Sequence, residues 1–164
     1  MGIVDVLFIN VSEETLLLIL TLLFLGKMEY LDFTIKENYI KILAAVVLTT
    51  IFSVLLHNYT GKNGFMIVVR ILSFVFIYVL VYRENFFKIF KSFIIALFVF
   101  ILGEFFGTLI MEGTTGISQQ MLDNEYAGSV TYILLIIPRR ILQILAVTVL
   151  YKKASDNGLH NNSI

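Results

Sequence analysis

The chain has 164 residues, of which 59% are apolar, and its mean hydropathy is +0.91. Soluble domains are about 45–50% apolar, so this composition predicts an integral membrane protein. The net charge is zero, cysteine is absent and there are two histidines, so we expect no nucleic-acid partner, no disulfide, no cysteine nucleophile and no metal site built from histidine and cysteine.

The first predicted membrane span is the least regular. The apolar run from Thr15 to Leu25 gives only about 16 Å of helix, which is too short to cross a bilayer. A span over 3–25 is long enough but places two glutamates near its middle. The alternative is an interfacial helix at 1–12 followed by a tilted span. We favour the full span.

Four further apolar runs reach the length of about 20 residues that a helix needs to cross the membrane. They are 39–57, 64–82, 89–111 and 129–151. We therefore predict an all-α integral membrane protein, a bundle of about five transmembrane helices over 1–151. The remaining residues, 152–164, form a polar cytoplasmic tail that we expect to be disordered.

The basic residues predict the orientation of these spans. Eight Lys and Arg lie in or beside loops 26–38 and 83–88 and the tail, whereas the opposite loops carry one. Because cytoplasmic loops are enriched in Lys and Arg, we expect the N-terminus outside and the C-terminus in the cytoplasm of a bacterial cell. The glycine-containing outer loop, 112–128, is expected to be irregular or re-entrant.

Six charged residues fall inside predicted spans, three acidic and three basic. They are Glu13, Glu14, Arg70, Glu104, Arg139 and Arg140. An unpaired charge at the bilayer centre costs at least about 2.5–3.5 kcal/mol on insertion scales, so we expect all six to turn inward. They are our candidates for ligand binding or signal relay.

The depth of each charge along its span suggests partners. At 1.5 Å of rise per residue, Arg70 and Glu104 lie at a similar depth, about 9 Å from the outer surface, which predicts that they pair. Glu13 and Arg139 lie near the midplane. A second pair is therefore Glu13 or Glu14 with Arg139 or Arg140. These pairs form either a vestibule that receives a signal from outside or ties that serve only the fold.

Two motifs accompany the charges. Pro138 precedes the two arginines and predicts a kink in the last span, which is either a local kink or a hinge that transmits a signal. Gly103 and Gly107 form a GxxxG face, which lets a neighbouring helix approach closely. That approach would bring another backbone near Glu104.

The sequence has no motif of an enzyme active site. It lacks G-x-S-x-G, H-E-x-x-H, paired intramembrane aspartates and a glycine-rich phosphate loop. We therefore predict a protein that is not an enzyme and that has no cofactor and no metal.

Three segments carry a resemblance to a known family. They are VSEETLLLILTLLFLGK, FIIALFVFILGEFFGTLI and YILLIIPRRILQILAVTVLYKK. Their layout over residues 3–153 resembles the membrane sensor region of accessory-gene-regulator-type and related histidine kinases of Gram-positive bacteria. The kinase core is missing: there is no dimerisation helix, no phospho-accepting histidine and no ATP-binding region. The resemblance thus implies either a free-standing relative or a shortened form.

What the resemblance implies is a sensor that relays an extracellular signal, often a peptide, through its last helix to a partner. By position, Glu13 or Glu14, Glu104 and the segment 138–140 would carry that role. A substrate-binding membrane subunit of a transporter is the first alternative, and a structural membrane protein whose ion pairs serve only folding is the second. The expected partners are the lipid bilayer and a cytoplasmic or membrane signalling protein, and self-association is left open.

Overall fold

The computed structural model describes residues 10–60, 64–118 and 130–161, and within these ranges the protein is helical and has no strand. The prediction of an all-α protein is confirmed for this part of the chain. The described elements are α1 (Val11–Leu25), a 3₁₀-helix (Met28–Leu31), α2 (Lys36–Thr60), α3 (Gly64–Tyr82), α4 (Phe86–Thr115) and α5 (Val130–Asn161).

The observed helices match the predicted spans most closely in the middle of the chain. Helix α3 has the predicted bounds, and α2 and α4 extend beyond theirs at both ends. Of the predicted span 3–25, the structure describes only residues 10–25, which are Asn10 and α1, because residues 1–9 lie outside the described ranges. Residues 119–129, most of the predicted irregular loop, also lie outside them.

Two predictions about helix ends are wrong. Helix α4 runs on to Thr115 and ends at Gly116, whose φ of 70° closes the helix with a left-handed residue, so the loop expected from 112 begins later. Helix α5 runs on to Asn161, so the polar tail is helical to that residue. A helix that has already formed gains one hydrogen bond for each residue added without a new nucleation step.

Two of the described helices are long and apolar enough to cross a membrane. They are α2, over Lys36–Leu56, and α4. The part of α3 whose side chains are described, Ile67–Tyr82, is apolar but shorter. Only 33% of the apolar window of α2 and 17% of that of α4 are buried inside the protein. Most of the apolar surface of these helices therefore faces outward.

Helix α1 supplies much of the buried core. Leu18 and Leu20 are completely buried, and Tyr78 of α3 and Phe93 of α4 are buried in the same cluster with their rings in edge-to-face contact. Helix α1 packs against α2, α4 and α5, while α4 packs most extensively against α5. Helices α4 and α5 are thus both brought alongside α1.

The end of the bundle that contains the α1–α2 connection is fixed by polar contacts. Gly26 ends α1 with a φ of 74°. The Nζ of Lys27 lies 3.1 Å from a carboxylate oxygen of Glu84, in the α3–α4 connection. The side-chain amide of Asn38 donates to the carbonyl oxygen of Glu29 at 2.6 Å. These contacts hold two interhelical connections together at the end opposite the start of α1.

Candidate functional site

The charged residues predicted from the sequence converge from four helices. Helix α1 supplies Glu13 and Glu14, α3 supplies Arg70, α4 supplies Glu104 and α5 supplies Arg140. Each of these five side chains takes part in an ion pair with a residue of another helix. The expectation that they turn towards one another is confirmed for these five.

Arg140 joins three helices. Its Nη1 donates to the Oε1 of Glu104 at 3.0 Å, and its Nη2 donates in a short hydrogen bond to the Oε1 of Glu13. The Arg140 side chain is buried except for 14% of its surface, and its guanidinium lies 6.0 Å from the ring centre of Phe100. A planar guanidinium with several donors suits such bridging. Arg140 therefore links the start of α1 to α4 and α5.

Gln143 completes this arrangement and is not among the residues predicted from the sequence. It is almost fully buried, its Oε1 accepts from Arg140 at 2.8 Å and its Nε2 donates to the Oε1 of Glu104 at 3.0 Å. A polar side chain three residues after Arg140 lies on the same helical face. The spacing of three residues from Arg140 is therefore the feature of the sequence that could have predicted the contact of Gln143 with Arg140.

The close approach expected at the GxxxG face is present at Gly103. A Cβ atom added there would lie 2.9 Å from the Cγ of Gln143 and 3.9 Å from its Cα. Gly107, one turn further on, is buried. Helix α5 can lie this close to α4 because Gly103 has no side chain, and the approach places Gln143 beside Glu104.

Arg70 pairs with Glu14, so the predicted pairing of Arg70 with Glu104 is wrong. The Nη2 of Arg70 donates to the Oε1 of Glu14 at 3.0 Å. Similar depth along two helices does not determine the direction in which each side chain points, since each residue turns the helix by about 100°. The second predicted pair, Glu13 or Glu14 with Arg139 or Arg140, occurs as Glu13 with Arg140.

The two sides of the Arg70–Glu14 pair differ in exposure. The Glu14 side chain is 2% exposed and the Arg70 side chain is 42% exposed. Arg70 also lies over the ring of Phe74, 5.3 Å from its centre, within the distance at which a cation is attracted to an aromatic face. Arg70 thus reaches from the edge of the bundle towards a carboxylate in its interior.

Some buried polar atoms of this region have no hydrogen-bond partner among the described residues. They include the Oε2 of Glu14, the Nε of Arg140 and the hydroxyl of Tyr78. A buried polar atom without a partner costs about 1–3 kcal/mol. The site therefore has hydrogen-bonding capacity that the ion pairs do not use.

A cavity of about 320 Å³ lies between α1, α3 and α4, beside these ion pairs. Glu13, Glu14, Arg70 and Glu104 line it, and its remaining wall is apolar and includes the rings of Phe74 and Phe100. A cavity of this size that combines an apolar wall with a few charged groups can hold a small amphipathic molecule.

Two predicted residues of α5 are described only in their backbone. Pro138 and Arg139 both lie within the helix, and their side chains lie outside the described part of the chain. The roles predicted for Pro138 as a hinge and for Arg139 as a charge partner stay predictions. Among the described residues, no group of three or more His, Asp or Glu is arranged to hold a metal ion.

Comparison of the chain with models of protein families, with curated proteins and with solved structures gives no match. The resemblance to the sensor regions of histidine kinases therefore stays a prediction. The function has to be inferred from the geometry of the charged cluster and its cavity.

Proposed function

We propose that this protein is a multi-pass membrane sensor module with five spans, an outer N-terminus and a cytoplasmic C-terminus. It relays an extracellular signal to a partner protein through α5. The observation that carries the proposal is the position of Arg140, which holds α5 to both α1 and α4 by ion pairs beside a cavity. The charged cluster receives the signal, and α5 transmits it.

The distribution of apolar side chains supports a membrane location. Phe87, Phe98 and Leu80 are among the large apolar residues that are more than 60% exposed, while the charged groups of the cluster face one another. Soluble monomers rarely expose large contiguous apolar patches. A bilayer provides the apolar surroundings that such residues need, and it makes unpaired charges expensive.

The continuity of α5 supports the relay. The helix is unbroken from Val130 to Asn161, so a movement at Arg140 is carried along the same rigid element towards Lys152 and Lys153. Shifts of a helix by about 1–2 Å are a common form of signal transmission between packed elements. In the proposed topology, the moving end of α5 meets a partner in the cytoplasm.

The cavity supports the coupling of a ligand to this movement. Glu13 and Glu104 line the cavity and are also the carboxylates that hold Arg140. A ligand that binds either carboxylate competes with Arg140. It shifts the equilibrium of α5 only by the difference between its affinities for the two positions of the helix.

The test of the relay is a distance measurement between α4 and α5. The chain has no cysteine, so spin labels can be attached to engineered cysteines at Phe98 and Val149, both of which are exposed. Arg140→Gln removes the charge that links the helices. We expect the distance distribution between these labels to shift or broaden in Arg140→Gln.

A control pair at Phe98 and Leu80 spans α4 and α3, which Arg140 does not join in the described structure, and it should stay unchanged. An identical distribution for Phe98 and Val149 with and without the Arg140 charge would refute the relay. A ligand that binds the cavity without moving α5 would favour the transporter subunit instead.

The proposed topology has its own test. Phe33, between α1 and α2, and Thr114, at the end of α4, are both exposed. We expect a cysteine at Thr114 to react with a membrane-impermeant thiol reagent added to intact cells, and a cysteine at Phe33 to react only after the membrane is opened. The reverse pattern contradicts the orientation, and labelling of both positions from outside contradicts the odd number of spans between them.

A further inference from the structure

Among the described charged side chains of the site, Glu14 is the most deeply buried, and only one of its two carboxylate oxygens accepts a hydrogen bond from a described residue. Its side chain is 2% exposed, and its Oε1 accepts from Arg70. Its Oε2 is enclosed and accepts from no group in the described part of the chain. Glu14 lines the cavity, and the terminal torsion of a glutamate is broad, so a modest rotation can present that oxygen to a molecule in the cavity.

The other groups around the cavity favour a positively charged guest. Glu13 and Glu104 line the cavity together with Glu14, whereas Arg70 is the one cation among the lining residues of the described structure. The faces of two lining rings already attract cations, since Arg70 lies over Phe74 and Arg140 lies near Phe100. Carboxylates and aromatic faces together recognise ammonium groups.

We propose that the cavity binds the protonated amino group of a small amphipathic molecule. The Oε2 of Glu14 accepts a hydrogen bond from the ammonium, and the apolar wall near Leu17 and Phe74 holds the hydrocarbon part. This ligand class rests on the proposed function, because it makes the cavity the place where the sensor meets its signal.

The geometry also explains how such a ligand acts on the helices. An ammonium group beside Glu14 brings a second cation to a carboxylate that already holds Arg70, and it lies beside Glu13, which holds Arg140. The ammonium competes with Arg70 and Arg140 for these carboxylates, and it therefore weakens both ion pairs. Binding therefore loosens the contact of α5 with α1 without any direct contact between the ligand and α5.

The experiment compares three probes of similar shape on the purified full chain in detergent. They are 2-phenylethylamine, which is an ammonium at neutral pH, the neutral 2-phenylethanol and the anion 3-phenylpropanoate. Thermal unfolding is followed by circular dichroism because the chain has no tryptophan. At about five times its Kd the amine should raise Tm by about 2–4 °C, and the other two probes should bind at least about tenfold more weakly, the effect of about 1.4 kcal/mol.

Two variants locate the binding group. Glu14→Gln keeps the shape of the side chain and should abolish the preference for the amine, while Glu37→Gln, at an exposed pair with Lys41, should leave it intact. If Glu14→Gln fails to fold, Leu97→Phe replaces it as the test, because it narrows the cavity without changing its charge. Leu97→Phe should weaken the binding of the amine by at least about tenfold.

Several results would overturn the proposal. Equal shifts with the amine and the alcohol mean that the cavity selects only apolar shape, and a preference for the anion assigns recognition to Arg70. An absence of any shift, or an amine preference that survives in Glu14→Gln, also refutes it. If only the proposed relay is wrong, the result differs: the cavity binds the amine selectively, but the distance between α4 and α5 does not change.

Discussion

The ion pair between Arg70 and Glu14 predicts an unequal response to the loss of its two members. Arg70→Met leaves the Glu14 carboxylate in the interior, where only 2% of its side chain is exposed. Glu14→Met leaves an arginine of which 42% is exposed and whose long side chain can turn its charge towards more polar surroundings. The arginine substitution should therefore be the more damaging one.

The magnitudes follow from the burial of each group. Removing one partner of a buried pair costs about 3–5 kcal/mol, and a charge left in a membrane interior costs at least about 2.5–3.5 kcal/mol, so we expect Arg70→Met to lower the free energy of unfolding by about 3 kcal/mol. For Glu14→Met we expect about 1 kcal/mol, because one hydrogen bond is lost. The double variant should lie within about 1 kcal/mol of the wild type, because an apolar pair can replace a buried ion pair.

The assay is unfolding in mixed micelles of a mild detergent and dodecyl sulfate, followed by circular dichroism. The control is the matched pair Lys41→Met and Glu37→Met on the exposed face of α2, where the two charges lie 2.6 Å apart but should be coupled by only about 0.3–0.5 kcal/mol. Equal losses for the two single variants, or a double variant as unstable as Arg70→Met, would show that the pair does not stabilise the bundle in this way.

Two further predictions concern other contacts. Gly103→Ala places a Cβ 2.9 Å from Gln143 and should lower the free energy of unfolding by about 1–3 kcal/mol in the same assay, whereas Gly113→Ala, in open space, should not; equal effects would contradict the close approach. The hydrogen bond and charge of Glu84 raise the pKa of Lys27 above its ordinary 10.5. The stabilisation from Lys27 is thus complete below that pH and lost as the pH rises through the raised pKa, so the Tm difference between wild type and Lys27→Met should vanish there, and a difference that persists would refute it.

The sequence predicted the composition of the site better than its pairing. Hydropathy located α3 to the residue, because an apolar run bounded by polar residues has defined ends. The cost of isolated charges in an apolar helix predicted that Glu13, Glu14 and Arg140 would turn inward. The first inference needs only the hydropathy of the run, and the second needs only the energy of a charge in apolar surroundings.

The partners could not be predicted because they depend on how the helices are rotated about their axes. Glu104 has the depth of Arg70 but is bound by Arg140, since α4 packs most extensively against α5. That packing depends in turn on the close approach at Gly103, which a GxxxG motif permits without specifying the helix that uses it. Gln143 was missed for a different reason, because an amide in an apolar helix has no charge that demands a partner.

The physics of a bilayer connects these ties with the proposed signalling. Lipid chains are as apolar as leucine, so apolar burial contributes little to the preference of one helix for another within a membrane. The relative positions of α1, α4 and α5 then depend strongly on polar contacts, and Arg140 of α5 contributes such contacts to both α1 and α4. In the proposed signalling, a bundle held in this way changes its packing when a cation enters the cavity that Glu13 and Glu104 line. The same ion pairs that define the resting arrangement of the helices are therefore the groups through which a ligand can alter it.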